Sequence, residues 1–75
     1  MKFDFQVISP QNIKIDIYNI LGQNIMSKEA IYSKPIYKIE EWNLRKQNGE
    51  KISNGVYIIK IQGQRKHELK KITYL

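Results

Sequence analysis

The 75 residues contain no cysteine, one histidine, two prolines and four scattered glycines, and no apolar run approaches the length of a membrane span. Each absence closes a class of explanation. Without cysteine there are no disulfides, and His67 alone is no ligand set for a structural metal. Scattered glycines exclude a phosphate-cradling loop. A spanning helix needs ~20 consecutive apolar residues, and the amino terminus MKFDFQVISP lacks the shorter run that a signal peptide requires.

The chain is 41% hydrophobic and 27% charged, and its length leads us to expect one globular domain over residues 1–75. A domain of this size buries only about 60% of its unfolded surface. With no disulfide or metal to reinforce it, stability falls to Ile, Tyr, Phe and Trp side chains on paired strands. The formal charge is +6 and the sequence pI about 9.7, which brings acidic partners into view. Yet the lysines are spread along the chain, as on solvated strand faces and edges. Only Arg65, Lys66, Lys70 and Lys71 cluster, and they read better as a guarded strand edge than as a phosphate-reading patch.

The stretch from Trp42 to Ile61 organises the rest. Asn48-Gly49 and Asn54-Gly55 are its two bends, because Gly accepts positive φ and Asn tolerates it. Val56 to Ile61 then has the composition of a strand with a buried face. Ser53-Asn54-Gly55-Val56-Tyr57 has the order of a tyrosine corner, in which a Tyr hydroxyl bonds back to the backbone just upstream.

Period-two alternation predicts a first strand through Phe3, Phe5 and Val7 and a second through Ile13, Ile15 and Ile17. Their short connection predicts that the two pair as a hairpin. A short strand is expected at Asn24 to Met26, and a loop with a short strand over Ser27 to Pro35. Further strands are expected at Ile36 to Trp42, at Gly55 to Gln62 and from about Lys66 to Leu75, with a minor one at Glu50 to Ile52. In the last strand Leu69, Lys71, Thr73 and Leu75 share one face and Lys70, Ile72 and Tyr74 the other, and the pattern leaves open which is inward. The sum is an all-β chain of six to seven short strands, a sandwich or a barrel.

Convergent chemistry is absent from the sequence. Glu40 and Glu41 are adjacent and on a strand point to opposite faces, so they form no carboxylate pair. Asp4 and Asp16 fit surface ion pairs with Lys2 and Lys14 on neighbouring strands. His67 is expected on a solvated edge. No catalytic residue, metal ligand or cofactor site is assigned, and the chain is expected not to be an enzyme. A small barrel with a basic aromatic face would bind nucleic acid, but the aromatics mostly sit in apolar alternation, so that partner is not expected.

Three strings carry a resemblance: Ile15-Asp16-Ile17-Tyr18-Asn19-Ile20-Leu21-Gly22-Gln23-Asn24-Ile25, then Trp42 with Asn48 to Tyr57, then Lys70-Lys71-Ile72 near the end. In this order, and over nearly the whole chain, they resemble the type A C-terminal sorting domain of type IX secretion cargo. The resemblance implies an immunoglobulin-like antiparallel β-sandwich. It also implies a non-catalytic address that is read by an outer-membrane secretion translocon and cut by a sorting protease. The implied partner in cis is an N-terminally fused cargo protein, and the implied destination, reached through the periplasm, is the cell surface or the exterior. By this resemblance Gly55, Tyr57, Lys70, Lys71 and Leu75 serve recognition or the local fold behind it, with Trp42 as core anchor. The related immunoglobulin-like domain of flagellar hook-capping proteins shares the Trp, Gly and Gly-x-Tyr framework, which gives structural assembly as the alternative role. A monomer or weak self-association is expected, since strand edges are open but carry lysines.

Overall fold

Alternation in the first two stretches produces the strands it predicts. In the computed structural model, which describes residues 1–75, β1 (Lys2–Val7) buries Phe3, Phe5 and Val7, and β2 (Gln11–Asn19) buries Ile13, Ile15 and Ile17. The remaining strands are β3 (Asn24–Tyr32), β4 (Ile36–Glu41), β5 (Gly55–Gln62) and β6 (His67–Tyr74). They form two antiparallel sheets, β1-β4 and β3-β2-β5-β6, that close a small β-sandwich. Between the sheets, Trp42, Ile52, Tyr57, Ile59 and Ile61 complete the core begun by β1 and β2.

The expected β1–β2 hairpin does not form. β1 pairs with β4, and β2 lies between β3 and β5. The cause is the paired apolar faces: side by side in one sheet they would need a third element to cover them. Crossing from one sheet to the other lets them cover each other, and Pro10, which has no N–H for a ladder, stands in that crossing.

The loop with a short strand expected over Ser27 to Pro35 is overturned as far as Tyr32, because β3 runs unbroken to that residue and leaves only 33–35 as a connection. Its register with β2 places Met26, Lys28 and Ala30 opposite Ile17, Ile15 and Ile13, on the inner face. The alternation is real but disguised: Lys28 stands on the inner face and the largely exposed Ile31 on the outer. Lys28 belongs there because it lies at the rim, where its Nζ meets Glu40 of β4 at 2.9 Å.

β4 ends at Glu41, one residue before Trp42. Glu50 to Ile52 is not a strand; Lys51 makes a single isolated bridge with Arg45. The connection is nonetheless tied down. The Trp42 Nε1–H donates to the Arg45 carbonyl at 3.0 Å, and Gly49 takes φ 89° at the Asn48-Gly49 bend. In β6 the inward face is Lys70, Ile72 and Tyr74, opposite Ile59, Tyr57 and Gly55, with no bulge needed.

Asp4 and Asp16 are not neighbours. Asp4 is on the two-stranded sheet and Asp16 on the four-stranded one, where it is 5% exposed and accepts from the Ser27 hydroxyl at 2.6 Å. Asp4 instead joins the sheets across their other rim: Lys70 Nζ sits 2.9 Å from it, and the Tyr37 hydroxyl donates to its second oxygen. The Tyr37 hydrogen bond, then Lys70, hold the Asp4 carboxyl below its ordinary value of 3.8. The same contacts raise Tyr37 and Lys70, in each case chiefly through the hydrogen bond to Asp4. A depressed carboxyl contributes stability above its unfolded pKa and loses it as pH falls through the folded one. Raised Lys70 and Tyr37 contribute below their ordinary values of 10.5 and 10.0 and lose it as pH rises through their folded ones. Asp4→Asn should therefore be less stable than the parent at neutral pH, with the difference closing in acid. Urea unfolding at pH 7 and at pH 2 checks this, and a gap of equal size at both values would contradict it.

Candidate functional site

An unpaired strand edge offers a row of backbone N–H and C=O groups, and the ladders show where those groups point. The Gly63 N–H donates to the Lys66 carbonyl at 2.8 Å, which sets the phase of the β5–β6 ladder. From that phase and the register, Glu68, Lys70, Ile72 and Tyr74 bond to β5. The backbone groups of His67, Leu69, Lys71 and Thr73 then face away from the sheet. β6 is the last strand of its sheet, so no strand meets them.

The opposite edge of that sheet is treated differently. On β3, the Ser27 N–H donates to Gln47 Oε1 at 2.9 Å, and the Ile25 carbonyl accepts from the Gln47 N–H at 2.8 Å. One glutamine from the connection after Trp42 thus caps two outward groups of β3. No such cap stands over β6, whose open edge is the kind that accepts an added strand.

Beside this edge lies a shallow apolar hollow on the outer sheet face, lined by Tyr18, Ile20, Val56, Ile58 and Lys71. Ile20 and Leu21 are 75% and 80% exposed, and the turn that carries them is stiffened by Asn19. The Asn19 Oδ1 accepts from the Leu21 and Gln23 N–H groups, each at 3.0 Å. In the sequence Ile20 and Leu21 enter only through the family resemblance, which assigns them no exposed feature. The signal for one was an apolar pair, Ile20-Leu21, directly before Gly22, where a turn leaves no core to receive it.

The residues singled out from sequence fall into two groups. Gly55, Tyr57 and Trp42 lie at one end of the sandwich core. The Tyr57 hydroxyl donates to the Ser53 carbonyl at 2.6 Å, closing the tyrosine corner. Gly55 holds φ 154°, a conformation that side chains rarely adopt. Trp42 is 3% exposed and meets Tyr57 edge-on at a centroid distance of 5.8 Å. Tyr57→Phe should lower stability by about 1 kcal/mol through loss of that hydrogen bond. An unchanged urea midpoint would show that the corner contributes nothing.

Lys70 and Lys71, adjacent in sequence, point to opposite faces. Lys70 is turned to the rim between the sheets, where Asp4 and Glu68 hold it at 2.9 and 3.3 Å. Lys71 is exposed on the outer face, across from Ile58 and beside the hollow. Leu75 is 93% exposed. The basic cluster seen in sequence is therefore divided: Lys70 is engaged internally, Lys71 borders the open edge, and Arg65 and Lys66 occupy the β5–β6 turn.

No curated protein and no solved structure matches the chain. A protein family does, the secretion system C-terminal sorting domain, over residues 1–74. With a match that runs through both sheets and the open final strand, the chain belongs to the family of C-terminal sorting domains of type IX secretion.

Proposed function

We propose that this chain is a non-catalytic C-terminal signal that directs a fused cargo protein through the type IX outer-membrane translocon to the cell surface. The free edge of β6 is the part the translocon reads, by adding a strand of its own to residues 67 to 73. Lys71 and Leu75 flank that edge and orient the partner strand. Gly55, Tyr57 and Trp42 act indirectly, by holding β5 in place as the template on which β6 is built. Lys70 acts through the same fold, as the rim contact to Asp4. The sorting protease then separates the domain from its cargo.

The observation that carries this reading is the contrast between the two edges of the four-stranded sheet: Gln47 caps β3 at Ile25 and Ser27, and no side chain or loop caps β6 anywhere along its length. Uncapped edges invite unwanted pairing, so one left open in a family of secretion signals is best explained by use. Lys71 on its outer face keeps pairing between copies weak, and we expect a monomer at moderate concentration.

Fusion of residues 1–75 to the carboxyl end of a periplasmic reporter, in a host with type IX secretion, tests the reading. Reporter on the surface or in the medium is the expected result. Reporter left in the periplasm on an intact, folded fusion would overturn it and favour a structural assembly role like that of hook-capping domains.

A further inference from the structure

The two sheets differ in width, and the narrow one leaves part of the wide one uncovered. Between β1 and the β5–β6 turn this leaves a cleft of about 800 Å³, within the ~300–1,000 Å³ range of ligand clefts. Its floor is Phe5, Ile13 and Ile61, and its rim on one side is Arg65 and Lys66. Gln6 and Ile8 line the other side, and Ile8 is 60% exposed. The Lys70–Asp4 contact closes the inter-sheet groove next to it.

The β1 side also offers backbone. Met1 and Trp42 exchange both backbone hydrogen bonds, at 2.7 and 2.9 Å, which sets the phase of the β1–β4 ladder. By that phase Phe3, Phe5 and Val7 bond to β4, and the N–H and C=O of Lys2, Asp4 and Gln6 face the open side. Gln6 is the one of these that borders the cleft. On the rim, none of the four ion pairs of the molecule uses Arg65 or Lys66. Glu68 also lines the cleft, but its carboxylate is 3.3 Å from Lys70. The turn itself is held firm, with the Gln64 N–H donating to Gln11 Oε1 at 2.8 Å.

We propose that this cleft docks an extended acidic segment of a partner protein. The segment pairs with the backbone of β1 at Gln6, drops an apolar side chain onto Phe5, Ile13 and Ile61, and sets carboxylates against Arg65 and Lys66. Open backbone, apolar floor and unopposed cations together match an extended chain in which acidic and apolar residues alternate, since alternate side chains of a strand point to opposite sides. This surface meets the open edge of β6 only at His67, its first residue, and does not depend on the sorting role.

The probe is a capped synthetic peptide of alternating Asp and Val, titrated into the ¹⁵N-labelled full chain at low ionic strength. Amide shifts are expected at Gln6, Ile8, Gln11 and Gly63 to Glu68. Reversing the exposed rim charges with Arg65→Glu and Lys66→Glu should weaken binding by about tenfold or more, as like charges meet. Gln6→Pro, which removes an outward N–H and leaves the β4 ladder intact, should weaken it as well. The proposal is overturned if an alternating Lys and Val peptide binds equally well, if acetate alone reproduces the shifts, or if the shifts fall on Leu69 to Thr73. Full affinity in the charge-reversed variant, which needs no rearrangement of the core to fold, would overturn it too.

Discussion

Trp42→Ala is expected to lower the free energy of unfolding by about 3–5 kcal/mol, the usual result of emptying a buried aromatic site. Small domains are stabilised by roughly 0.05–0.15 kcal/mol per residue, which for this chain is on the order of 4–11 kcal/mol, so the loss takes a large share of the total. Three contacts meet at this side chain. The indole is 3% exposed in the core, it lies edge-on to Tyr57, and its Nε1–H holds the Arg45 carbonyl. Its backbone also ties the end of β4 to Met1. Removing the ring leaves a cavity beside the tyrosine corner and frees the connection that carries Gln47, so the cap on β3 should loosen with it. Urea unfolding measures the first effect and amide exchange at Ser27 the second. A midpoint that hardly moves would contradict the role of Trp42 as the anchor of this end of the sandwich.

Strands whose apolar residues alternate cleanly were legible in sequence: β1 through Phe3, Phe5 and Val7, β2 through its three isoleucines, and β5 from its composition. So was the tyrosine corner, because its geometry is local and spans only Ser53 to Tyr57. What sequence did not disclose was pairing. A short connection favours a hairpin when only neighbours are considered, but β1 and β2 lie in different sheets, a choice decided by which apolar faces cover each other. β3 was hidden for a related reason. Lys28 is on its inner face, and only the presence of Glu40 across the rim explains a cation there.

The candidate site divides in the same way. Lys70 and Lys71 look equivalent in sequence, and the strand phase alone assigns one to Asp4 and the other to the outer face. The capped and open edges were invisible, since a glutamine at position 47 carries no sign that it will meet Ser27 and Ile25.

Thr73→Pro is expected to reduce export of a fused reporter by about tenfold or more, with the domain still folded. The N–H of Thr73 faces the open side of β6, so proline at this position removes no bond to β5, and proline is tolerated on a strand when the missing donor would face solvent. It does remove a donor that an added strand would use, and its ring obstructs the close approach such a strand requires. Charge is unchanged, which separates edge pairing from simple attraction to Lys71. Truncation before Lys70 is a weaker test, because it strips Ile72 and Tyr74 from the core and unpairs β5. The decisive measurement is therefore the surface-exposed fraction of reporter for Thr73→Pro beside the parent fusion, with urea unfolding of both domains as the control. Export lost while the unfolding midpoint stays close to the parent's is the expected result. Export undiminished in a folded Thr73→Pro domain would mean that the open edge of β6 is not what the secretion machinery reads.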